Sequence, residues 1–151
     1  NERVPKQGLD AGKAAYLANC AACHQPEGTG LPGAFPPLAA SDYIKGKSKQ
    51  DIVSSVLRGI TGKITVNGVE YNNVMPAMSY LSDKDLSQII TFVLNSWGNP
   101  GGKVTTKQVA SYRASKGLEA KQAAGERRGV RCADGRARAR RRCCTGCSAS
   151  R

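Results

Sequence analysis

The sequence predicts a small all-α domain with three main helices and one short β-hairpin, built from roughly the first hundred residues. The chain has 151 residues, an ordinary size for one domain. Apolar residues recur at helical spacing in separate segments of its first part. All eight aromatic residues lie at or before Tyr112, and all seven prolines lie at or before Pro100. So thin a core usually needs a disulfide, a metal or a cofactor to be stable.

The first two main helices begin at polar residues that can cap them. Asp10 is the expected N-cap of a helix that runs to about Cys20. Ser48, followed by Asp51, is the expected N-cap of a second helix that stops near Gly59. Residues 25–37, which lie between them, hold four of the seven prolines and three glycines, and this composition predicts a loop.

A β-hairpin is predicted next, because Asn67 and Gly68 separate two short β-prone segments. Asn-Gly supplies both positive-φ residues of a type I′ turn. The turn would join residues 64–66 to residues 69–71, and a loop that contains both methionines of the chain follows the hairpin.

The third main helix has the clearest apolar stripe. Ser82 is its expected N-cap, and acidic residues in its first turn suit the positive end of the helix dipole. The stripe continues to Trp97, and Gly98 and Pro100 are expected to end the helix.

These elements divide the chain into four expected parts. Residues 1–8 are a polar leader or linker, residues 9–99 form the domain, and residues 100–115 are a C-terminal extension with at most a loose helical turn. Residues 116–151 form a tail with 11 basic and 3 acidic residues, a net charge of +8. Because the tail has few large apolar side chains to offset its ordering entropy, we expect it to be disordered or non-native.

The composition also bears on partners. The arginines of the tail could bind phosphates, but the tail has no aromatic residue for stacking and no recognisable binding fold, so no nucleic-acid partner is expected. The longest apolar runs are far too short to span a bilayer. The tail also holds four of the six cysteines, which are Cys132, Cys143, Cys144 and Cys147.

The one specific chemical motif is Cys20-Ala21-Ala22-Cys23-His24. Two thiols three positions apart at a helix end can each add to a vinyl group of haem, and the next residue lies where its imidazole reaches the iron. The alternatives are a disulfide motif and half of a zinc site. A thioredoxin-like motif should adjoin a βαβ pattern, and zinc would need two further ligands from a region with no other cysteine or histidine. The spacing therefore predicts one covalently attached c-type haem.

The iron of such a haem needs two axial ligands. His24, the only histidine, would coordinate through Nε2, with its Nδ1 proton held by a carbonyl, for which Pro36 is the candidate. A methionine is the remaining strong candidate for the opposite face. Met75 and Met78 both stay open, although Pro76 favours an extended backbone at Met75 and stiffens the loop.

These pieces, in this order, closely resemble the class I cytochrome c family over about residues 8–98. The matching segments are residues 12–16, 20–24, 33–38, 75–77 and 81–97. The resemblance implies the class I cytochrome c fold, with three main helices around one covalently bound haem and a small β-hairpin before the axial methionine loop. It also implies that Met75 ligates the iron, and that Gly12 and Tyr16 cross the last helix near Phe92.

The same resemblance implies a monohaem electron carrier that shuttles one electron and is not itself an enzyme. Within the family, the chain resembles the haem domains fused to copper nitrite reductases and the haem subunits of quinoprotein alcohol dehydrogenases. A redox enzyme of one of these kinds in a bacterial periplasm is therefore the expected partner.

Haem propionates need donors when they are half-buried. Arg58, Tyr71 and Asn73 are the expected donors, although Arg58 could equally be a solvated cation that suits the end of its helix. The alternative function is a haem-based ligand sensor or a peroxidase-like enzyme with a displaceable methionine. Such a site would normally show a distal histidine or arginine, and the sole histidine is already used.

Overall fold

The computed structural model describes residues 4–117, which form a mostly helical domain with one two-stranded antiparallel sheet. None of the helices among these residues is long and apolar enough to cross a membrane. The tail expected from residue 116 onward lies, beyond Gly117, outside the described residues. In chain order the elements are α1 Lys6–Asn19, α2 Ala21–His24, α3 Asp42–Lys45, α4 Lys49–Arg58, β1 Ile64–Val66, β2 Val69–Tyr71, α5 Asp83–Leu94 and α6 Thr106–Ser115.

The centre of the fold is the crossing of α1 and α5. Gly12 lies at the crossing, where a Cβ atom would come within 2.7 Å of the Cβ of Phe92. The ring of Tyr16 is fully buried and lies 5.6 Å from the ring of Phe92 and 5.3 Å from that of Trp97, centroid to centroid. The expected crossing of the two helices near Phe92 is thus confirmed, and the missing side chain of glycine permits it.

Local chemistry sets most element boundaries as expected. The Ser48 hydroxyl accepts from the backbone N–H of Asp51 at 3.2 Å, and that of Ser82 accepts from the N–H of Asp85 at 3.0 Å. In the hairpin, Ile64 pairs with Tyr71, and the turn residues Asn67 and Gly68 have φ of 51° and 78°. These caps and the turn are confirmed.

Two predicted helix boundaries were wrong, the start of α1 and the end of α5. Helix α1 begins at Lys6 rather than after Asp10, so it includes residues 6–8 of the expected leader. Pro5 precedes the helix with φ of −59°, already suited to a helix start, and its carbonyl accepts from the N–H of Gly8 at 2.9 Å. Helix α5 ends at Leu94 rather than near Trp97, because the chain turns there and Trp97 adopts a φ of 53°.

The expected extension of residues 100–115 is a full part of the domain. Helix α6 starts with a complete capping box between Thr105 and Gln108, and it packs against α4 and α5. Val109 is fully buried and Val104 is nearly so. Helix α6 therefore packs on the domain as a further helix beside the three expected main ones. The sequence pattern that would predict α6 is weak, because few apolar residues of this helix reach the core.

The α1–α5 crossing yields a test with a matched control in the same helix. Gly12→Ala should lower the free energy of unfolding by about 1–3 kcal/mol, because the added methyl group overpacks the contact with Phe92. Gly8→Ala should raise it by up to about 1 kcal/mol, since the nearest atom to a Cβ there is 3.9 Å away and alanine favours helix. Chemical denaturation followed by circular dichroism measures both changes, and equal effects would show that α1 and α5 are not in close contact at Gly12.

Candidate functional site

Two adjoining cavities lie at the centre of the described domain and share one wall. The residues common to both linings are Cys20, His24, Pro36, Ile60, Ile64 and Met75. Beyond this wall, the first cavity is closed by apolar side chains of α4 and α5, among them Ile52, Val56, Ile89, Ile90, Val93 and Leu94. The second is bordered by Cys23, Phe35, Tyr71, Asn73, Val74 and Met78. Such a space suits a flat, largely apolar group with one polar edge.

The two cysteines lie where α1 meets α2. Cys20 is the single residue between these helices, and its carbonyl accepts from the N–H of Cys23 at 3.2 Å and of His24 at 3.0 Å. Both thiols are free and partly buried. Burial, with a smaller contribution from the neighbouring Cys23, raises the pKa of Cys20 to about 11. A redox-active dithiol instead needs a lowered thiol pKa, so the site does not suit disulfide exchange.

His24 is held in one orientation. Its ring is buried, and Nδ1 lies 2.9 Å from the carbonyl oxygen of Pro36. Because a carbonyl only accepts, Nδ1 carries the proton and Nε2 keeps its lone pair. Burial lowers the pKa of His24, while the hydrogen bond to Pro36 opposes that effect, so the imidazole is neutral at pH 7. The Pro36 carbonyl thus has the position that the sequence predicts, and a neutral imidazole is the form that binds a metal.

The loop that carries Pro36 is fixed against α2 by backbone contacts. The N–H of Gly30 donates to the carbonyl of His24 at 2.9 Å, and Leu31 and Phe35 form an isolated antiparallel bridge. Gly30 has φ of 64°, and a Cβ atom there would come within 2.7 Å of the carbonyl oxygen of Pro36. Only glycine allows this close approach, so Gly30 helps to place the acceptor of His24.

The two methionines differ in their surroundings. Met75 is paired with Ile60 by reciprocal backbone hydrogen bonds of 2.9 and 3.0 Å, and it lines both cavities together with His24. Gly59, with φ of 74°, lets the chain pass close beneath this pair, since a Cβ there would lie 2.8 Å from the N of Ala77. Met78 lines only the second cavity and also packs against the core.

The structure brings two of the three expected propionate donors to the cavities. Tyr71 and Asn73 line the second cavity, where Tyr71 is buried and the amide of Asn73 donates to the carbonyl of Ala34 at 2.9 Å. Arg58 lines neither cavity and is exposed at the last position of α4, so the structure does not bring it together with the other two. Its position at the negative end of the helix dipole accounts for its charge there.

The donor set fits haem and does not fit zinc. Within residues 4–117, no group of three or more His, Cys, Asp or Glu side chains is arranged to hold a metal ion. One neutral imidazole and one thioether on the shared wall, two thiols beside them and apolar walls beyond are the groups that a c-type haem needs. Ile60, Ile64 and the α5 side chains could not be assigned to the site from the sequence, because an apolar stripe that faces a cofactor looks the same in sequence as one that faces a core.

Comparison with known proteins identifies the same part of the chain. Residues 9–97 match the family model described as Cytochrome c. The chain is 36% identical over 123 residues to cytochrome c-552 of Thermus thermophilus, an alignment that covers 76% of this chain and 93% of that protein.

Two further relatives are subunits of larger enzymes. The alcohol dehydrogenase (quinone) cytochrome c subunit of Gluconobacter oxydans is 31% identical over 108 residues, which cover 70% of this chain and 22% of that protein. The gluconate 2-dehydrogenase cytochrome c subunit of Pantoea cypripedii is 34% identical over 116 residues, which cover 74% of this chain and 26% of that protein. The chain therefore spans only about a quarter of each of these two subunits.

The support of His24 by the loop can be tested at two glycines of similar conformation. Gly30 and Gly33 have φ of 64° and 75°, so alanine at either position should cost about 1 kcal/mol in strain. Gly30→Ala should cost a further 1–3 kcal/mol or so, because the methyl group displaces the Pro36 carbonyl, whereas nothing lies within 4 Å of a Cβ at Gly33. Denaturation midpoints and the visible absorption spectrum measure the difference. An unchanged spectrum and equal midpoints in the two variants would contradict this role of Gly30.

Proposed function

The chain belongs to the cytochrome c family, and from that membership we propose that it is a monohaem electron carrier with the haem attached through Cys20 and Cys23 and the iron ligated by His24 and Met75. Haem c, when bound, supplies a one-electron couple between ferric and ferrous iron. The task of the protein is to hold this group, to set its potential and to present its edge to a partner.

The observation that carries the proposal is the shared wall of the two cavities. His24 and Met75 both line both cavities, with Cys20 on the same wall and Cys23 at the border of the second cavity. The neutral, hydrogen-bonded imidazole of His24 has its free lone pair at Nε2, which is the atom that would coordinate iron. The two thiols need only lie beside the haem, because each would add to one of its vinyl groups and become a thioether.

Met75 is favoured over Met78 as the second ligand by its backbone and by its place on the wall. Its reciprocal hydrogen bonds with Ile60 fix its position relative to the end of α4. Met78 is held by a single backbone bond to the carbonyl of Val56 at 2.9 Å and is in contact with the core. A thioether on the iron favours the ferrous state and raises the reduction potential.

The remaining lining residues would keep water from the iron and place the polar edge of the haem. The side chains of α4 and α5 in the first cavity are almost all apolar, which limits the solvent reorganisation that accompanies electron transfer. Tyr71 and Asn73, on the second cavity, are the side chains in position to donate to a propionate.

We propose a redox enzyme as the partner, in a bacterial periplasm, where c-type haem is attached. The cytochrome subunits of quinone-linked alcohol dehydrogenase and gluconate 2-dehydrogenase among the relatives support a dehydrogenase of this class, and the copper nitrite reductase stays a prediction. Leu31 and Val74 are 50% and 65% exposed next to the second cavity, where they offer a small apolar contact. Small contacts of this kind are typical of transient redox complexes.

Two single substitutions test the axial assignment. Met75→Ala should abolish the methionine-to-iron charge-transfer band of the ferric protein and allow rapid carbon monoxide binding to the ferrous protein, because it vacates a coordination position. Met78→Ala should retain the band and bind carbon monoxide as slowly as the unsubstituted protein does. Absorption spectroscopy and stopped-flow mixing measure both properties.

Loss of the band in Met78→Ala alone would move the ligand to Met78. Rapid carbon monoxide binding by the unsubstituted protein would instead favour the ligand sensor or peroxidase-like enzyme, whose methionine is displaceable.

A further inference from the structure

Helix α6 carries one buried cation, which lies near the loop that contains both methionines. Arg113 lies in the last turn of α6 and is 3% exposed. Its Nε donates to Asp83 Oδ1 at 2.8 Å, its Nη1 to the carbonyl of Ser79 at 2.8 Å, and its Nη2 to the carbonyl of Leu81 at 2.7 Å. A buried guanidinium is tolerated only when its donors are satisfied, and here each of the three nitrogens has a partner.

The three acceptors all belong to one short region. Ser79 and Leu81 lie in the loop of residues 75–81, which carries both methionines, and Asp83 is the first residue of α5. At its other end the same loop is held by the reciprocal backbone hydrogen bonds between Met75 and Ile60. In between, the N–H of Met78 donates to the carbonyl of Val56. Arg113 thus holds the end of the loop that leads into α5.

We propose that Arg113 is a positioning residue for the methionine ligand, and that α6 is present in part to hold the loop of residues 75–81 closed over the iron. The inference rests on the proposed function, because it assigns Arg113 a role in keeping the Met75 thioether on the metal. Arg113 lines neither of the two cavities, so it acts only through the loop.

A lysine would not replace this arginine. The guanidinium presents donors in three fixed directions, which match one carboxylate and two carbonyls, whereas an ammonium group is a compact point charge on a flexible stem. The proposal therefore predicts a graded rate of loop opening. Arg113→Lys retains some of the hydrogen bonds to the loop, and Arg113→Met removes all of them.

The test separates opening of the loop from loss of overall stability. Carbon monoxide enters the ferrous protein only when the methionine leaves the iron, so its binding rate reports how often the loop opens. The control is Val109→Ala, which weakens the packing of α6 at a fully buried position but leaves all three hydrogen bonds of Arg113 in place. The full chain with its haem is used throughout, and the free energy of unfolding of each variant is measured beside its carbon monoxide rate.

Arg113→Met should bind carbon monoxide about tenfold faster than the unsubstituted protein, a factor that corresponds to about 1.4 kcal/mol in the opening of the loop. Val109→Ala should stay within about twofold at a comparable loss of unfolding free energy. Arg113→Lys should lie between the two, and it decides the matter if Arg113→Met does not fold.

Rates for both Arg113 variants that match the rate for Val109→Ala would overturn the inference and leave the iron ligation untouched. Failure of the proposed function has a different signature, because Met75→Ala would then bind carbon monoxide no faster than the unsubstituted protein.

Discussion

Facing apolar walls at the centre of this domain enclose a space that the side chains of residues 4–117 do not fill, and the rest of the structure depends on that space being filled. The side chains of α4 and α5 that would form the core of an ordinary helical domain instead line a cavity. A domain of this size buries too little apolar surface to tolerate an empty interior. A haem would supply the missing apolar surface, and the junction of α1 and α2 brings two thiols and an imidazole to the wall where it would be attached.

Features set by neighbours in the chain could be predicted from the sequence. Three such features are present in the structure, and each depends on a few adjacent residues. They are the helix end at the Cys20–His24 motif, the serine caps at Ser48 and Ser82, and the Asn67-Gly68 turn. The acceptor of His24 lies twelve positions away, at Pro36, yet it could be named because a ligand histidine needs one.

Features set by packing between distant segments could not be predicted from local patterns, and the crossing of α1 and α5 was expected only from the family resemblance. The capping box of α6 is visible in the sequence, but the burial of Val109 is not, and the three hydrogen bonds of Arg113 go to acceptors that lie 30, 34 and 32 positions away. Arg58 was expected at the site because its charge suits a propionate, but it is exposed at the end of α4 and lies outside both cavity linings. Sequence patterns indicate which face of a helix is apolar and do not indicate what that face will meet.

Attachment of one haem to this chain through Cys20 and Cys23 can be read from the mass of the denatured protein. Protein matured in a host that attaches c-type haem should keep the haem after unfolding and acidic solvent extraction, and its mass should exceed that of the polypeptide by one haem. The double variant Cys20→Ser, Cys23→Ser should lose the haem under the same extraction. A colourless polypeptide with no added mass, from the unsubstituted chain matured in such a host, would contradict the account.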